Sequence, residues 1–127
     1  MELKLNILRD AMLDIEELHK YPKVLRITDN NSLNRCKKYD FNEVLYHFRL
    51  LKQADYIDWH PRFASNKFHQ GLSSGITFEG HEFINTIRGD KVWKKTQSII
   101  GKVGSFSIDI VKDVSSQVLA EIIKSQL

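Results

Sequence analysis

Tyr39-Asp40-Phe41-Asn42-Glu43-Val44-Leu45-Tyr46-His47-Phe48-Arg49-Leu50-Leu51-Lys52-Gln53-Ala54 carries the strongest local signal in the chain. Asp40 suits an N-cap, because a short carboxylate can accept a hydrogen bond from an amide of the first turn. Glu43, three residues on, completes an Asp version of the capping box. Phe41, Val44, Leu45, Phe48 and Leu51, with Ala54 at the end, recur at helical spacing and give a helix over 41–54 one apolar face. The opposite face presents Asn42, Tyr46, Arg49 and Gln53, with His47 and Leu50 beside it. In a DNA major groove such side chains read bases: Arg pairs with guanine, Asn and Gln with adenine, and Tyr reaches phosphate. Tyr46 and His47 fit equally well half-buried against a neighbouring element, and Glu43 would repel phosphate.

Downstream, Tyr56-Ile57-Asp58-Trp59-His60 alternates as a short strand, with Ile57 and Trp59 on one side. Pro61 to Gly75 is polar and turn-rich, holds Arg62, Lys67 and His69, and suits a hairpin tip that touches backbone phosphate. Ile76-Thr77-Phe78 is the expected return strand. Thr77 caps a helix near 79–88 that buries Phe78, Phe83, Ile84 and Ile87, and Gly89 ends it. Asp90 then caps a basic helix over 91–102 with Val92, Trp93, Thr96, Ile99 and Ile100 inward and Lys91, Lys94 and Lys95 outward. Ser107 caps a last helix near 108–126, striped by Val111, Val114, Val118 and Ile122. Its broad apolar face either wraps the domain or pairs with a second copy or another protein.

Upstream, Leu5, Leu8, Met12, Ile15 and His19 mark an amphipathic helix over 4–19, whose other side carries Arg9, Asp10, Asp14, Glu16 and Glu17. Tyr21-Pro22 stops it, since the residue before proline is pushed out of helical geometry. Val24 to Thr28 reads as a short strand and Asp29 to Ser32 as a turn. Leu33 to Lys38 fits either one helical turn or an irregular basic loop, so little room exists for a full helix before Asp40.

Taken together these elements predict an α+β, winged-helix-like fold in one domain over 1–127: a small antiparallel β-hairpin wing and additional C-terminal helices. The length of 127 residues supports a core without staples, and 42% hydrophobic with 28% charged residues is ordinary for a soluble protein. No run is long enough to span a membrane. The single Cys36 fits a reducing cytoplasm and reads as a surface thiol. The net charge of +3 is mild for a nucleic-acid binder. Its distribution is more telling: residues 21–53 and 91–102 are basic, separated by acidic stretches, and a one-sided basic surface forms if those blocks meet.

Arg9-Asp10, Glu16, Tyr46-His47, Leu50-Leu51, Ala54, Ile76-Thr77-Phe78-Glu79-Gly80-His81-Glu82-Phe83, Arg88 and Val92-Trp93-Lys94-Lys95 give the chain a resemblance to a known family. It resembles the domain-of-unknown-function family numbered twenty-five thirteen, common in phages and prophages. The resemblance implies a winged-helix-like fold and a mobile-element setting, and supplies no catalytic residue. Two positions depart from the pattern: Asp55 stands where a glycine usually ends the helix, and Phe78 stands for a more usual tryptophan. The Thr77-x-x-Gly80-x-x-Phe83 spacing is also similar to a turn of winged-helix regulators, a likeness of fold alone.

No enzyme is expected. The histidines lack the i,i+4 spacing of a zinc protease, there is no Cys-x-x-Cys, and no Gly-rich phosphate loop or Gly-x-Ser-x-Gly exists. The sequence therefore predicts no catalytic residue, no metal and no cofactor. Its first expectation is double-stranded DNA binding through Asn42, Tyr46, His47, Arg49, Gln53, Arg62, Lys67, Lys91, Lys94 and Lys95. The alternative is a protein-interaction adaptor that keeps the winged-helix frame and works through the C-terminal helix or the face of Tyr46, as a homodimer or with another protein.

Overall fold

The structure, a computed structural model, describes residues 1–104 and 106–127. Among them are five helices, α1 (Leu5–Leu18), α2 (Phe41–Gln53), α3 (Phe78–Ile87), α4 (Asp90–Gly101) and α5 (Ile108–Ser125), and three strands, β1 (Leu25–Ile27), β2 (His60–Ala64) and β3 (Lys67–Ser73). The class is α+β, and the strands form one antiparallel sheet in the order β1-β3-β2. Two compact units divide the chain, Met1–His81 and Glu82–Leu127.

In the first unit α1 packs on α2. Ile7, Leu8, Ala11, Met12 and Ile15 of α1 and Val44, Phe48 and Leu51 of α2 are buried, as an apolar stripe on each helix requires. Asp40 accepts the Glu43 amide at 3.2 Å and caps α2. The second half of the expected capping box is replaced: the Glu43 carboxylate instead takes the Lys4 ammonium at 3.0 Å.

Asp14 corrects the expectation of a solvated acidic face on α1. It is fully buried, and its Oδ1 accepts from the Arg35 amide at 2.9 Å and its Oδ2 from the Cys36 amide at 2.9 Å. The carboxylate thereby holds the start of a 3-10 turn, Cys36–Lys38, which with a similar turn at Asn30–Ser32 stands between β1 and α2. Cys36 is buried as well, not on the surface, and burial with Asp14 close by pushes its thiol far above the ordinary range.

The hairpin lies inside the stretch expected as its tip, and Ile76-Thr77-Phe78, expected as the return strand, is replaced in that role by Lys67–Ser73. Strand β2 begins at His60, where the expected strand ended, and Ile57 meets Ile76 only in an isolated bridge. Strand β2 pairs with β3 across a two-residue turn, Ser65-Asn66, whose φ values of 52° and 64° are both positive, as a hairpin turn of this length favours. Every residue of β2 is exposed, so the strand has no inward–outward alternation, and Pro61 is tolerated because β2 is an edge strand. Behind the hairpin Trp59 is buried between Phe48, at 4.8 Å between ring centroids, and Phe68, at 6.3 Å.

Asp55 ends α2 with φ +62°, the conformation a glycine adopts without strain. Replacing Asp55 with glycine should raise the unfolding free energy by about 0.5 kcal/mol, since the relief of left-handed strain exceeds the added backbone entropy. Urea unfolding of Asp55→Gly reads this, and a lowered midpoint would count against the strained turn. At the next residue, the Tyr56 carbonyl accepts the Thr77 amide at 3.1 Å. Thr77 Oγ1 donates to the Asp55 carbonyl at 2.5 Å and accepts the Gly80 amide at 3.0 Å, capping α3 as expected. A Cβ on Gly80 would lie 2.0 Å from the Tyr56 carbonyl oxygen, which explains a glycine three residues into the Thr77 turn. Phe78, expected in the core, is instead 72% exposed at the start of α3.

In the second unit α4 and α5 pack together, burying Val92, Trp93, Thr96 and Ile100 on one and Val111, Ser115 and Val118 on the other. Gly89, not Asp90, occupies the N-cap of α4, with Asp90 as the first helical residue. Ser107 Oγ accepts the Ile110 amide at 3.3 Å and starts α5 as the sequence predicts. Val114 and Ile122 of the expected α5 stripe are only half-buried.

Candidate nucleic-acid interface

Between α2 and β2 lies a groove of about 490 Å3, lined by Asn42, Leu45, Tyr46, Arg49, Lys52, Trp59, Pro61 and Phe63. Three of the residues singled out on α2, Asn42, Tyr46 and Arg49, therefore share one concavity, because positions three and four apart stand above one another on a helix. Gln53 is exposed at the end of α2 but does not line the groove. A second depression of about 630 Å3 adjoins it, sharing Lys52 and Pro61, and is lined also by His60 and Arg62. Lys67 is exposed beside the hairpin turn. Lys91, Lys94 and Lys95 are exposed on α4 in the second unit.

His47 does not belong to the outward face. It is fully buried, with Nε2 accepting the Lys4 amide at 2.9 Å and Nδ1 against the Glu43 carbonyl at 2.7 Å. Those partners require a neutral ring with its proton on Nδ1, which ties the start of α1 to α2. Burial lowers its pKa below the ordinary 6.5, although the Glu43 carbonyl and charge pull the other way. A proton taken up by the unfolded chain but refused by the folded one makes stability rise with pH. The His47 contribution is thus present in full above about pH 6.5 and declines as pH falls toward the lower folded-state value. Urea unfolding between about pH 5 and 7 should show a shallower pH slope in His47→Gln than in the wild type. Identical slopes would contradict the neutral buried ring.

Lys52 and Phe63 escaped the sequence reading. Lys52 follows Arg49 by three residues on the same helix, a spacing that could have shown it, and its ammonium donates to the Trp59 carbonyl at 2.5 Å. Phe63 is 62% exposed and stands edge-on to Phe68 at 5.8 Å, within a stretch that looked like a polar loop.

One other polar cluster sits at the rim of the larger depression. Asp58 accepts from Ser74 Oγ at 2.7 Å and from the Ser74 amide at 2.9 Å, and lies 2.8 Å from His60 Nε2. Partial burial opposes its ionisation, yet these bonds hold the carboxyl below its ordinary value. The carboxylate stands between ring and hydroxyl, whereas a hydrolase triad puts the imidazole in the middle. Elsewhere in the first unit, His81 Nδ1 lies 3.8 Å from Glu16 Oε2. No helix among the described residues is long and apolar enough to cross a membrane.

The described elements define an α+β protein in which a capped helix and an antiparallel hairpin enclose a groove. Residues 2–107 match the family described as "Hypothetical protein (DUF2513)", and the chain belongs to that family. The match ends before α5. An "Uncharacterized protein" of Haemophilus influenzae is 29% identical over 86 residues, which cover 67% of this chain and 72% of that protein. No solved structure matches the chain significantly.

Proposed function

We propose that this protein is a non-enzymatic winged-helix DNA-binding module, a cytoplasmic regulator or accessory protein of a phage or prophage. Helix α2 is its reading helix and the β2–β3 hairpin its wing. The observation that carries the proposal is the groove that gathers Asn42, Tyr46 and Arg49 beside an exposed hairpin strand. Two further features support it. The order α1, β1, short turns, α2, β2, β3 with sheet order β1-β3-β2 suits a winged helix. The Glu43 carboxylate, which would repel phosphate, is paired with Lys4.

Arg49 then meets a guanine edge, Asn42 and Gln53 meet adenine, and Tyr46, Arg62 and Lys67 meet phosphate. Lys91, Lys94 and Lys95 add cationic surface. Fluorescence anisotropy with labelled duplex fragments at low salt tests this. Binding should weaken steeply with salt, and Lys67→Ala should reduce the log–log salt slope by about one. Undetectable binding at low salt removes the proposal.

A protein-interaction adaptor is the second reading, favoured by Ile110 and Ile123, which are 43% and 52% exposed on α5. Light scattering of a strict monomer that captures no partner would exclude it.

A further inference from the structure

The groove beside α2 is more apolar and aromatic than contact with a duplex edge needs. Leu45, Tyr46, Trp59, Pro61 and Phe63 form its walls, while Arg49 and Asn42 supply the polar groups. Base edges in a paired duplex are read by hydrogen bonds and small methyl contacts, whereas aromatic faces are used to stack bases freed from pairing. Phe63 has the exposure such a platform requires, at 62%. It is also firmly backed. Phe68 meets it edge-on at 5.8 Å and stacks on the buried Trp59 at an interplanar angle of 14°.

The adjoining depression supplies the complementary chemistry. Lys52 and Pro61 line both concavities, and His60, Arg62 and the Asp58 carboxylate, whose oxygens are already engaged by Ser74 and His60, stand only in the second. The register of β2 against β3 shifts between Arg62 and Phe63, a bulge at the point where the strand passes from the cationic depression to the aromatic groove. An aromatic slot and a depression where Lys52 and Arg62 outnumber the hydrogen-bonded Asp58 match the two halves of a nucleotide, base and phosphate.

We infer that the α2–β2 groove holds one unpaired nucleotide of a DNA end or junction, its base stacked on Phe63 and its phosphate held by Lys52 and Arg62. This rests on the DNA-binding function proposed above and narrows its substrate to DNA with a single-stranded extension.

The test compares a blunt duplex with the same duplex carrying a short single-stranded tail, by anisotropy at fixed salt, with 2-aminopurine as the first unpaired base. The wild type should bind the tailed form roughly tenfold more tightly and alter the 2-aminopurine emission. Phe63→Ala should remove that preference and the emission change, so that tailed and blunt forms bind equally, and Phe63→Tyr should retain both. Circular dichroism confirms that each variant is folded. Equal wild-type affinity for blunt and tailed DNA overturns the inference and leaves duplex binding standing. A tail preference that survives Phe63→Ala also overturns it. No binding to either form overturns both this inference and the proposed function.

Discussion

Replacing Asp14 with alanine should lower the unfolding free energy by about 3 kcal/mol, enough to move a urea midpoint far outside error. The carboxylate is fully buried and its two oxygens are committed to different partners. Oδ1 takes the Arg35 amide at 2.9 Å and the Arg35 guanidinium at 3.2 Å, and Oδ2 takes the Cys36 amide at 2.9 Å. Alanine would leave two amides without acceptors, remove one of the two carboxylates on the Arg35 guanidinium, Glu17 remaining at 3.3 Å, and open a void. Asp14→Asn keeps one acceptor oxygen and should lose roughly half as much. The guanidinium is 37% exposed, so its share is small and the amides dominate. A loss under about 1 kcal/mol for Asp14→Ala would show that the turn at Cys36–Lys38 does not depend on this carboxylate.

Gly71→Val should be comparably damaging, at about 3 kcal/mol, with Gly71→Ala at about 2. A Cβ at this position would lie 2.0 Å from Cη2 of Trp59 and 2.5 Å from two further ring carbons. The indole has nowhere to go: it is 1% exposed and wedged between Phe48 and Phe68. Gly71 pairs with Pro61 on one side and Ile27 on the other, so displacement of the central strand would disturb both neighbours. Combining Gly71→Ala with Trp59→Phe should recover part of the loss, because a smaller ring makes room and the two sites couple directly. An unchanged thermal midpoint for Gly71→Val would refute the close approach.

Much of this architecture is legible in the sequence wherever one residue's neighbours in the chain settle its place. The stripes of α1, α2 and α4, the Asp40 cap and the Thr77 turn follow from spacing alone. The left-handed Asp55 stood out because a glycine is usual there. What escaped depends on distant partners or on exposure. Asp14 and His47 are polar residues on helices, and periodicity sends such residues to solvent. Their partners lie 21 and 43 residues away, at Arg35 and Lys4. Glu43 was assigned to its own helix cap but reaches Lys4.

The hairpin was misplaced for the opposite reason. An edge strand exposed on both faces shows no alternation, so Pro61 to Ala64 reads as loop, while buried Ile57 and Trp59 alternate like a strand but form only an isolated bridge. That shift also hid part of the site, because Phe63 belongs to a wall and not to a loop tip. On α2, where the pattern was secure, Asn42, Tyr46 and Arg49 were found, while Lys52 was missed and Leu45 was assigned to the buried stripe.

The central claim is that the outward side of α2 and the hairpin bind DNA. Its most direct test is titration of the isotopically labelled protein with a short duplex, followed by amide chemical-shift changes. The account predicts a cluster of shifted resonances at Asn42, Tyr46, Arg49, Gln53, Arg62 and Lys67, with the buried His47 affected least. Shifts confined to α5, or none at low salt, would contradict it.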